Sequence, residues 1–95
     1  MHPSERVRIV VETARAVLQD RLDPGTAAAT LALQQEQIGN RLRADRLDVT
    51  RAEADTVALT LRRLAEQISD LSPDDPDPAN VETARILGEL AQSLR

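Results

Sequence analysis

Apolar residues recur at helical spacing along most of the chain, most regularly in the row Leu47, Thr50, Ala54, Val57, Leu61, Leu64, Ile68 and Leu71. The intervals alternate three and four residues without a break, which is the seam of a helix packed against other helices. This pattern predicts a helix over 50–71. Thr50 and Glu53 fit a capping box at its start, and Val49 with Ala54 fits the accompanying apolar staple. A broad stripe of Val7, Val10, Val11, Ala14, Val17, Leu18 and Leu22 predicts a first helix over 4–22, capped by Ser4. Ala28, Leu31, Gln35, Ile38 and Leu42 predict a second over 27–44. Val81, Ala84, Leu87, Ala91 and Leu94 predict a fourth over 79–94.

The breaks between these stripes have their own chemistry. Asp23-Pro24-Gly25-Thr26 reads as a turn, with Pro presetting the first central position, Gly free to take positive φ, and Thr26 placed to cap the next helix. Gly39-Asn40 is either a helix stop or a tolerated pair inside a helix; Ile38 and Leu42, in phase across it, favour continuation. Gln35 puts an amide in an apolar row, where it either fixes register between helices or faces solvent. Residues 72–78 crowd prolines and aspartates together and read as an extended, charged connector. Pro78 then suits a first helical turn. No strand and no internal repeat stands out. The expected fold is all-α, a single helical domain over 1–95. It forms a small antiparallel four-helix bundle, with homodimerisation into a larger bundle as the second arrangement and the third helix central.

Composition supports that reading. The chain has 95 residues and no Phe, Tyr, Trp or Cys. Ala–Leu helices pack closely without aromatics, whereas layered β cores of this size need them. Aromatic platforms for single-stranded nucleic acid are excluded, as are disulfides and thiolate chemistry. The core is thin, which favours a chain that gains burial from a second copy or a partner. The formal net charge is −4, and all 12 basic residues are Arg, as a GC-rich coding sequence produces. No apolar run approaches a membrane span, and residues 1–6 lack the apolar core of a signal peptide. The expectation is a cytoplasmic protein that does not enter a membrane.

Chemistry finds little to stand on. His2 is the one histidine and lies beside the first residue, and Ser4, Ser69, Ser72 and Ser93 have no histidine to activate them. The three glycines make no phosphate loop. Asp74, Asp75 and Asp77 lack the glycine and distal glutamate of a calcium loop, and no Glu-x-x-His pair of the di-metal type occurs. No enzyme activity, cofactor or metal is expected.

Two surface features remain. Arg41, Arg43, Arg46 and Arg51 form the densest basic cluster, with Asp45 and Asp48 among them. Ordinary solvated helix-end charge is favoured over contact with phosphate or an acidic partner. The run from Ala44 to Ala54 resembles the turn of a helix-turn-helix over 44–64, with Thr50 capping a recognition helix. The resemblance is too generic to indicate a family. Against it stand Asp48 where a turn glycine is usual, Glu53 and Asp55 facing phosphate, and the acidic balance.

Each helix also carries apolar residues off its main stripe: Ile9 and Ala16, Leu33, then Ala58, Leu59 and Ala65, then Ile86 and Leu90. Four such secondary edges imply a covered surface. The expected function is a non-enzymatic protein–protein interaction module (a regulatory subunit, adaptor, or antitoxin- or immunity-like binder). Leu59, Ile86, Leu90, Arg41, Arg43, Arg46 and Arg51 are its contact residues, and another protein or a second copy is its partner. The rival is a DNA-binding transcriptional regulator using 44–64.

Overall fold

The computed structural model describes residues 3–38, 50–71 and 73–94. Among these residues the chain forms four helices and no strand: α1 (Pro3–Leu18), α2 (Pro24–Ile38), α3 (Arg51–Ser69) and α4 (Pro78–Ser93). The all-α four-helix fold is therefore as expected. No helix among the described residues is long and apolar enough to cross a membrane.

Each end has a local cause. α1 stops at Leu18, short of the expected residue 22, because Asp20 takes a left-handed conformation with φ 56°. Asp20 N–H donates to Val17 O at 3.1 Å and Arg21 N–H to Ala16 O at 2.8 Å, the paired bonds of a Schellman ending with aspartate in the glycine position. α2 starts at Pro24 rather than 27. Its cap is Asp23, which accepts from Thr26 N–H at 2.9 Å and from the Thr26 hydroxyl at 2.7 Å. Thr26, expected to cap, instead sits inside the first turn. Thr50 caps α3 as expected, accepting from Glu53 N–H at 3.2 Å. Asp77 caps α4 through Ala79 N–H at 2.8 Å, with Pro78 at the first helical position. The continuation of α2 through Gly39-Asn40 to 44 lies outside the described residues.

The core joins all four helices around Val10, Leu31, Ile38, Leu61, Ile68 and Leu87, with Ala14 and Ala54 allowing close approach. α3 buries Ala54, Leu61, Leu64 and Ile68, as its seam predicts, with Val57 half-buried; Ala58, expected off the seam, is buried too. Leu71, the last of that row, lies beyond the Asp70 C-cap and is exposed. On α2, Gln34 is buried rather than Gln35, and its Oε1 accepts from Arg6 Nη1 of α1 at 3.2 Å. Gln35 reaches the other way, its Nε2 donating to Glu89 Oε2 of α4 at 2.6 Å. Each amide ties two helices, so of the two readings of Gln35 the half-buried side chain takes the register one and shares it with its neighbour.

α4 departs most from the sequence pattern. Its buried face is Asn80, Thr83, Ile86, Leu87, Leu90 and Ala91, followed by Leu94, while Val81 is exposed. Ile86 and Leu90 were expected as partner contacts; they are core residues at 0% and 3% exposure. Four large side chains, Ile86, Leu87, Leu90 and Leu94, set the helix phase, and a helix buries its heaviest apolar side. Asn80 and Thr83 lie at the same three–four spacing and are carried inward. Val81 is turned out.

α1 packs against α2 and α3, and α4 against α2 and α3. Arg6 at the start of α1 meets Gln34 near the end of α2, so these helices run antiparallel. Arg51 at the start of α3 donates from Nη1 to Leu94 O after α4 at 2.8 Å, so the second pair is antiparallel too. Gln35 and Glu89 both lie late in their helices, which makes α2 and α4 parallel. α1 and α3, each antiparallel to one member of the parallel α2–α4 pair, are therefore parallel as well, and Val7, Val11 and Val57 lie at their junction. The molecule is thus two antiparallel hairpins set side by side with like-directed helices adjacent. The third helix is the longest but is not central; α4 buries the broadest face.

Candidate interaction surface

Burying α1 against one flank of α3, and α2 against one flank of α4, leaves the opposite flanks of the second hairpin facing water. A groove runs there between the last turns of α3 and the first turns of α4, lined by Ala65, Glu66, Ser69, Val81, Ala84 and Arg85. Its floor is made of small side chains. One turn further along α4, a methyl group added to Gly88 would meet nothing within 4 Å, so the floor stays open there.

Four large apolar side chains are exposed among the described residues, and three belong to this hairpin: Leu59 at 45%, Leu71 at 45% and Val81 at 54%. Leu33 on α2, at 52%, is the fourth. Single exposed aliphatics are ordinary; Val81 lines this groove and Leu71 follows its rim residue Asp70, which marks the surface, while Leu59 lies more than a turn back along α3.

The charges around the groove divide into satisfied and available. Arg85 donates to Glu82 and Glu89 on its own helix, at 3.0 Å from Nε to Glu82 Oε2 and 2.5 Å from Nη1 to Glu89 Oε1. Those bonds, with Gln35 contributing most at Glu89, hold both carboxyls below the usual glutamate range, and they raise the Arg85 pKa further above its ordinary value. Glu66 and Asp70 on the α3 rim are exposed and have no ion-pair partner among the described residues. Asp74 and Asp75, also exposed, follow directly in the connector.

The sequence-expected contact residues fare unevenly. Leu59 is on the surface as expected. Ile86 and Leu90 are in the core. Arg51 is exposed but occupied: besides Leu94 O, its Nε pairs with Asp55 Oδ1 at 3.3 Å, so it closes the open end of α4. Arg41, Arg43 and Arg46 lie outside the described residues. Val81 and Leu71 were assigned to the core by their spacing and are the contact candidates the sequence missed. The signal for Val81 was the rival stripe at 83, 86, 87, 90, 91 and 94, whose larger side chains outweigh the one through 81 and 84.

No polar constellation suited to catalysis faces this groove, whose ionisable groups are a rim of carboxylates and one neutralised guanidinium. Among the described residues, no three His, Cys, Asp or Glu side chains gather as a metal ion would require. Comparison with known protein families, curated proteins and solved structures finds no match to this chain.

Proposed function

We propose that the chain is a non-enzymatic protein–protein interaction module that docks a helical partner on the outer face of the α3–α4 hairpin. The observation that carries this reading is the small-residue groove with exposed Val81 at its edge and exposed Leu71 next to its rim residue Asp70. A helix pair already stacks on the other side of the same hairpin, so the geometry for receiving helices is present. Binding would bury the apolar edges, and the rim charges would select the partner. A regulatory subunit, an adaptor or an antitoxin- or immunity-like binder would all work this way. DNA binding through 44–64 draws less support: Arg51 is engaged within the fold, and Asp55 and Glu66 share the exposed side of α3.

The test is a double substitution, Leu59→Asp with Val81→Asp. Both positions are exposed, so each change should move stability by no more than about 0.5 kcal/mol. The variant should keep its helical circular dichroism and melting temperature while its sedimentation mass or its set of co-purifying proteins changes. An unchanged mass together with an unchanged set of co-purifying proteins overturns the proposal.

A further inference from the structure

We infer that the occupant of the α3–α4 groove is an amphipathic helix of another protein, apolar on one face and carrying Lys or Arg at the end that lies toward the connector. The inference rests on the docking reading above and adds the partner's chemistry to it.

Shape calls for a helix with modest side chains. Ala65, Ser69 and Ala84 line the groove without filling it, Gly88 leaves room beyond, and Val81 stands at its edge. Small residues on facing helices let a third helix approach closely and gain dispersion contacts along its length.

Charge then chooses among helices. Arg85, the one cation lining the groove, has its guanidinium engaged by Glu82 and Glu89. Glu66 and Asp70 keep exposed carboxylates on the α3 rim, and Asp74 and Asp75 follow at the same end. At this end of the hairpin Glu66, Asp70, Asp74 and Asp75 outnumber the cations, with Arg62 and Arg63 exposed one turn back on α3, and exposed carboxylates attract a cationic partner more through encounter and selection than through raw affinity. A second copy of this chain is disfavoured: a two-fold contact through this face would bring the same carboxylate-rich patch of each copy together. Nucleic acid is repelled by the same carboxylates.

The probe is a pair of synthetic helical peptides with one Leu/Ala face in common. One carries Lys and Arg at one end, and the other carries Glu at those positions. Each bears a fluorophore and is titrated with the full-length chain by anisotropy. The cationic peptide should bind at least about tenfold more tightly at low salt, with that preference shrinking as salt rises. Glu66→Gln with Asp70→Asn should weaken the cationic peptide by about three- to tenfold and strengthen the acidic one. Val81→Asp should weaken both. Equal binding of both peptides, still sensitive to Val81→Asp, would overturn the cationic partner and leave the docking face standing. Failure of both peptides to bind, or binding indifferent to Val81→Asp, would overturn both.

Discussion

Thr83 is fully buried at 0% exposure, and neither its hydroxyl nor Asn80 Oδ1 has a hydrogen-bond partner among the described residues. A buried polar atom without a partner loses its hydration and regains nothing, a penalty of about 1–3 kcal/mol. Thr83→Val keeps the branched shape and removes the hydroxyl. It should raise unfolding free energy by about 1–2 kcal/mol, seen as a higher urea midpoint with an unchanged slope. The same phase that draws Thr83 inward turns Val81 outward, so core and surface at this end of α4 are set by one choice. That choice was hard to read in advance. A hydropathy stripe through Val81, Ala84 and Leu87 looks cleaner than one through Asn80, Thr83 and Leu87, and only the combined bulk of Ile86, Leu90 and Leu94 decides between them. Leu59 was legible because it lies opposite a seam with no rival.

At the scale of elements, ends were less legible than interiors. All four helices follow from spacing alone, and the Thr50 cap of α3 was visible in its Thr-x-x-Glu signature. The Schellman ending of α1 was not, because Asp20 occupies a left-handed position that usually announces itself as glycine. Asp23 was misassigned for a related reason: the Pro-Gly pair after it reads as a turn but opens α2 instead. The Asp23 carboxylate accepts from the Thr26 backbone first and the Thr26 hydroxyl second, and these bonds lower its pKa below its ordinary value of 3.8. A depressed folded pKa stabilises the fold above the unfolded value, and that contribution is lost as pH falls through the folded value. Glu82 and Glu89 act in the same direction. Asp23→Asn keeps an acceptor at the cap and removes its titration. Its melting temperature should therefore fall less than the parent's between about pH 5 and about pH 2. A parallel decline in the two proteins would show that the Asp23 cap contributes nothing to acid sensitivity.

Across the whole molecule, α4 links the two hairpins, packing on α3 within its own and on α2 in the other. Ile86 and Leu87, both at 0% exposure, lie on its buried face. Ile86→Ala should therefore lower global stability by about 2–4 kcal/mol in one cooperative transition. The slowest-exchanging amides of α1 should lose protection by the same amount, although the substitution lies on another hairpin. Protection lost only in α3 and α4 would mean that the hairpins open independently. The all-α class was legible in the sequence, but the order of neighbours was not, since periodicity reports which side of a helix is buried and says nothing of what buries it. Setting hairpins in a row, each helix beside its like-directed counterpart, is the growth rule of solenoid proteins. A row of this kind has two ends. The α1–α2 end shows water Glu5, Glu12, Thr30 and Glu36, with Leu33 among them, and resembles a cap. The α3–α4 end instead opens a small-residue groove with Val81 at its edge between charged rims, so a further helix arriving there would extend the stack along the axis on which the first two hairpins already lie.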